Sequence, residues 1–107
     1  MADSKTRVSA RGKLLTSYRC LQDGTVTLTG FGRTVQLDGT GALLESPDPF
    51  PVGQPLFLQF LLDDDRVSEA AGHVTSIRSG KGLYRVEIAF DSMPADARRR
   101  LARQGAG

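Results

Sequence analysis

A small all-β sandwich or barrel is what this sequence predicts, on three observations. Turn residues recur between short apolar and β-branched runs from Leu14 onward, and the last of those runs alternates apolar and polar residues with a period of two. The third is length: 107 residues make one domain. A domain of this size buries on the order of 60–68% of its unfolded surface, enough for one core but not for a deep catalytic cleft inside it. A binding or regulatory module fits that size better than an enzyme.

Residues 1–13 carry Lys5, Arg7, Arg11 and Lys13 among small and polar residues, which reads as a mobile basic arm ahead of a folded unit over residues 14–104. The strand-like runs are 14–21, 25–29, 31–37, 42–45, 56–62, 72–78 and 83–90. They are separated by turn chemistry at 22–24, 38–41, 46–53, 63–65 and 79–82, where Gly, Asp, Ser and Pro residues concentrate. In the last run Tyr84, Val86, Ile88 and Phe90 alternate with Arg85, Glu87 and Ala89, so one face packs and the other meets water. The loop 79–82 is short enough to join the two last runs as a hairpin. The chain then changes character: Ser92 can cap a helix, Pro94 suits its first turn, Asp96 its positive end and the arginines its negative end. Met93, Ala97 and Leu101 would give that helix a narrow apolar stripe.

Composition closes off several functions. No apolar run approaches the ~18 residues that span a bilayer, and residues 1–5 lack a signal peptide's apolar stretch, so a cytoplasmic protein without membrane insertion is expected. Cys20 and His73 are the only residues of their types, which excludes an internal disulfide and a Cys/His zinc site. Asp63, Asp64 and Asp65 are adjacent rather than alternately spaced, so no calcium loop is formed and no metal is expected. No catalytic constellation is present. The net charge of +2 conceals an uneven distribution: five bases against one acid in 1–20, five against nine in 21–90, and four against two in 91–107. Basic ends flank an acidic middle.

One pair of cations carries information in context. Arg7 and Arg11, four apart before the first strand, offer planar forks that pair with phosphate oxygens or the edge of guanine. About 25 residues later comes Gln36-Leu-Asp38-Gly-Thr-Gly41, then Ala42-Leu-Leu44 and the 51–53 turn Pro-Val-Gly. In this order the sequence resembles the PilZ domain family, over residues 7–101. The resemblance implies a small six-stranded antiparallel β-barrel with a C-terminal α-helix, acting as a bacterial regulatory module that in many members binds cyclic di-GMP. In that family an Arg-x-x-x-Arg arm and a second motif, Asp or Asn, any, Ser, any, any, Gly, hold the nucleotide.

Arg7 and Arg11 match the arm and Gly41 matches the motif glycine, whereas Gln36 stands where the family has Asp or Asn and Asp38 where it has Ser. A carboxylate near a dianionic ligand costs about 1 kcal/mol at ~4 Å through solvent, and more when partly buried. Gln36 and the Thr40 hydroxyl retain hydrogen-bonding capacity. Arg7, Arg11, Gln36, Asp38 and Gly41 are therefore the candidate cyclic di-GMP residues, and the resemblance with its departures implies a PilZ-like adaptor with nucleotide binding lost or weak. Such an adaptor works by protein contacts in motility, pilus or cell-polarity control. Its candidate partner surfaces are Asp63, Asp64 and Asp65 and the helix cations Arg98, Arg99, Arg100 and Arg103. The alternatives are a competent cyclic di-GMP receptor clamped by Arg7 and Arg11, and a single-stranded nucleic-acid-binding barrel with Phe31 as its one stacking platform; against the latter stands the acidic middle, so no nucleic-acid partner is expected.

Overall fold

The structure, a computed structural model, describes residues 13–62 and 65–92. Six strands follow one another: β1 (Leu14–Gln22), β2 (Thr25–Leu37), β3 (Gly41–Ser46), β4 (Pro55–Leu61), β5 (Val67–Ser79) and β6 (Tyr84–Ser92). They close into an antiparallel barrel in the order β1-β2-β3-β6-β5-β4, with β4 returning to β1 through pairs such as Tyr18 with Leu58. Closure leaves the barrel with no full-length open edge, which a domain this small needs to stay monodisperse. The all-β expectation holds. The expected C-terminal helix, the arm through residue 12, and Asp63 and Asp64 lie outside the described residues.

Period-two alternation builds the core. Inward-facing Tyr18, Leu44, Leu56, Leu58, Phe60, Val74 and Val86 are fully or almost fully buried, one from every second position of their strands. Most of their neighbours point outward, Glu45 on β3 being an outward residue that is nearly covered. Two inward threonines, Thr16 and Thr34, would be costly there unpaired; their hydroxyls bond each other at 2.7 Å, and Thr16 also donates to the Leu14 carbonyl at 3.0 Å.

Two strands differ from the expected runs. Residues 25–29 and 31–37 form one strand through Gly30, because the Tyr18 ring from the paired position of β1 lies over that glycine where a Cβ would otherwise sit. An aromatic side chain thus covers the gap that made Gly30 look like a break. β5 begins at Val67, five residues before the apolar run that announced it. Its inward residues there are the small Ser68 and Ala70, and Ser68 sits opposite Phe60, which packs edge-on to Phe90 with ring centroids 6.0 Å apart. Large rings on neighbouring strands take the volume, so small residues suffice on β5.

The turns follow their residue chemistry. Asp23 and Gly24 have φ of 53° and 79°, the two left-handed positions that a two-residue hairpin between β1 and β2 requires. Gly82, at φ 77°, supplies the left-handed position of the expected β5–β6 hairpin. Asp65 also takes a left-handed φ of 64° and donates its N–H to the Leu62 carbonyl at 3.0 Å, so it serves the turn between β4 and β5.

One buried group gives the barrel a pH limit. The Tyr18 hydroxyl is pushed from 10.0 up to about 12, by burial first and by donation to the Asp48 carboxylate second. A tyrosine whose folded value is raised stabilises fully below its unfolded value and loses that contribution as pH climbs through the folded one. The barrel is therefore expected to lose roughly 3 kcal/mol between pH ~10 and ~12 from this group. Urea midpoints followed across that window should fall more steeply for the native chain than for Tyr18→Phe; parallel slopes would mean the hydroxyl is not held neutral by the fold.

Candidate functional site

The end of β2, the turn after it, β3, β6 and β5 together present one outward face. Its rows can be read from the register: Gln36 opposite Leu43, opposite Glu87, opposite Ser76; and, one row along, Arg33 opposite Glu45, opposite Arg85, opposite Arg78. On the other side of the first row Gly41, Ala89 and His73 stand opposite one another. Between β2, β3, β6 and β5 the face opens into a shallow cleft of ≈ 170 Å³, to which Gln36, Asp38, Thr40, Gly41, Leu43 and Glu87 contribute. Three of the expected ligand residues, Gln36, Asp38 and Gly41, are brought together there.

One carboxylate oxygen of Asp38 is engaged by its own turn. The residue is 7% exposed, and its Oδ1 accepts from the Thr40 N–H at 2.7 Å, the Thr40 hydroxyl at 2.6 Å and the Gly41 N–H at 3.1 Å. Its own N–H donates to the Gly41 carbonyl at 3.1 Å. This is an aspartate doing what short acceptors do in turns, satisfying the amides two and three residues on. The Thr40 hydroxyl, expected as a spare contact, gives its proton to Asp38. Glu87 brings a second carboxylate to the cleft and accepts the Ser76 hydroxyl at 2.5 Å.

Among the described residues, the cations sit beside the cleft rather than in it. Glu45 is almost buried, and its two oxygens hold the Lys13 ammonium at 2.7 Å and the Arg85 guanidinium at 3.3 Å. The Lys13 contact brings the chain two residues beyond Arg11 onto the outside of β3; Arg7 and Arg11 themselves lie outside the described residues, as do Arg98, Arg99, Arg100 and Arg103. The Glu45 row was not legible in the sequence. Alternation within 83–90 puts Arg85 outward, but only strand register reveals that Arg33, Glu45 and Arg78 share its row.

The remaining chemistry-bearing residues are accounted for. His73 is half-exposed and its Nδ1 lies 2.9 Å from the Asp91 carboxylate. Cys20 is buried, and burial with the nearby Asp48 raises its thiol above the ordinary value, which makes it a poor nucleophile. Among the described residues no group of three or more His, Cys, Asp or Glu is placed to hold a metal, and no helix is long and apolar enough to cross a membrane.

The PilZ domain family model matches residues 5–105, almost the whole chain. The chain belongs to the PilZ domain family. No curated protein matches it. Among solved structures, the Bacillus subtilis inhibitor of motility MotI/DgrA superposes with a TM-score of 0.75 at 14% identity, over 96% of this chain and 49% of that one, so the PilZ barrel here spans about half the length of that neighbour. The PilZ domain of YcgR from Escherichia coli, solved with c-di-GMP, gives 0.70 at 16% identity over 95% and 86% of the two chains. The PilZ domain of CeSA from a cellulose-synthesizing bacterium gives 0.61 at 18% over 89% and 91%. At these identities the likeness is one of fold.

Proposed function

We propose that this PilZ domain is a regulatory adaptor that works by contacting another protein, with cyclic di-GMP binding lost or weak. The observation that carries the reading is Asp38: where the family places a serine, this chain has a nearly buried carboxylate whose Oδ1 holds its own turn while the residue lines the cleft. A dianionic nucleotide entering the cleft meets the carboxylates of Asp38 and Glu87, which both line it. Like charges there oppose binding. The similarity in fold to an inhibitor of motility supports a place in motility or related surface processes.

The receptor reading keeps one support, the Lys13–Glu45 bond, which seats Lys13 on the outside of β3 beside the cleft. Calorimetry with cyclic di-GMP at ~0.15 M salt separates the two, since screening then suppresses nonspecific attraction to the arm. The adaptor reading expects no saturable heat. Saturable binding at micromolar or tighter affinity would replace it with a receptor clamped by Arg7 and Arg11. A single-stranded nucleic-acid barrel is disfavoured because such barrels need several stacking rings. Of the described phenylalanines, Phe31 is the one large exposed ring, while Phe57 is half-buried with the Arg19 guanidinium 5.8 Å from its centroid.

A further inference from the structure

Resting on the adaptor reading, we infer that the partner surface is the arginine row beside the cleft, together with the exposed Phe31 ring, and that it takes an acidic segment bearing apolar side chains from a partner protein. Arg33, Arg85 and Arg78 lie in one row across β2, β6 and β5, with Glu45 between the first two. Glu45 is occupied by Lys13 and Arg85, which leaves Arg33 and Arg78 without an ion-pair partner among the described residues. Arg78 and Arg85 stand directly opposite each other across β5 and β6, a like-charge pairing that costs free energy in an isolated sheet. An arriving carboxylate between them relieves it.

The row also has shape. A shallow cleft of ≈ 190 Å³ is lined by Arg78 and Arg85 with Leu43, Ser76 and Glu87. Phe31 lies two residues along β2 from Arg33 on the same outward face and is 63% exposed, and Leu83, in the turn just ahead of β6, is 40% exposed. Planar guanidinium forks beside an exposed ring suit carboxylates interspersed with apolar side chains. The chain's own ends do not suit the row, because residues 1–12 carry three cations against Asp3 and residues 93–107 four against Asp96. Charge complementarity therefore points to a separate, acidic partner. Even with Lys13 and Glu87 counted beside the row, Arg33, Arg78, Arg85 and Lys13 against Glu45 and Glu87 are too lightly charged to track a nucleic-acid backbone.

The test is fluorescence anisotropy with a short labelled peptide of glutamate interspersed with leucine and phenylalanine. Saturable binding is expected, weakened about tenfold or more by Arg78→Glu and by Arg33→Glu, reduced by Phe31→Ser, and unchanged by Arg19→Glu on the opposite side of the barrel. Circular dichroism confirms that each exposed-residue variant is folded. Absence of saturable binding, equal loss with Arg19→Glu, or equal binding of a lysine-for-glutamate peptide or of oligothymidylate would overturn the inference. Cyclic di-GMP calorimetry on the same proteins reads the adaptor assignment separately: a nucleotide signal removes that assignment, and a missing peptide signal removes this surface alone.

Discussion

Alanine in place of Tyr18 is expected to cost about 3–5 kcal/mol, which in a domain of roughly 5–15 kcal/mol total stability leaves a substantial unfolded population at 37 °C. Three consequences of one side chain add together. The ring has no exposed surface and packs edge-on against Phe50 with centroids 5.2 Å apart and planes at 88°, so its removal opens a cavity between β1 and the loop before β4. The hydroxyl donates to the Asp48 carboxylate, and Ser46 Oγ, which accepts the Asp48 N–H at 3.0 Å, donates to the tyrosine oxygen at 3.2 Å. The ring also covers Gly30, whose bare backbone would otherwise weaken β2 at its middle. Urea denaturation measures the sum. Tyr18→Phe separates the parts: it keeps ring and cover, and loses about 1 kcal/mol with the hydroxyl, because half-buried Asp48 regains water. A Tyr18→Ala midpoint close to that of Tyr18→Phe would show that the cavity and the glycine cover contribute nothing.

Gly41→Ala is expected to destabilise the barrel by about 1–3 kcal/mol with no nucleotide present. A Cβ at this position would overlap the Ile88 carbonyl oxygen on β6, the strand paired to β3 through Gly41 with Ala89 and Ala42 with Ile88. The clash is with backbone, so it cannot be relieved by a rotamer change; β3 and β6 must separate and weaken their ladder. The same strand end is held by the Phe90 N–H donating to the Thr40 carbonyl at 2.8 Å, which a shifted turn would lose. Thermal or urea unfolding of the ligand-free variant checks this. An unchanged midpoint would mean that the glycine serves a bound molecule rather than strand approach. The expected result explains how the motif glycine persists while the residues at Gln36 and Asp38 depart from the ligand pattern: barrel geometry alone demands it.

The two positions that departed from the family pattern were legible as departures, but not what they do. Asp38 as a charge near a ligand follows from the sequence; Asp38 as a buried acceptor for Thr40 and Gly41 needs the turn's geometry, since the same residue in an open loop would face solvent. Gln36 shows the same division. Its identity says it can donate and accept, and only the register places it opposite Leu43, at the edge of a cleft shared with Glu87. The Tyr18–Asp48–Ser46 network was missed altogether, because its members are up to 30 residues apart and each alone is an ordinary strand or loop residue.

By itself, the sequence determined the all-β class, the turns at Asp23-Gly24 and Gly82, the inward and outward faces of β6, and membership in a family whose motifs lie in a fixed order. These are local properties, set by a two-residue period and by the few residues that tolerate a left-handed backbone. The tertiary structure decided which strands neighbour one another, and with that everything that depends on pairs distant in the chain: Glu45 shared between Lys13 and Arg85, Arg78 set against Arg85, Tyr18 laid over Gly30. The physical reason is that β pairing joins residues by register rather than by spacing. A strand's alternation says which side chains face out, while the partner's identity and offset, settled by closure of the whole barrel, say what they meet.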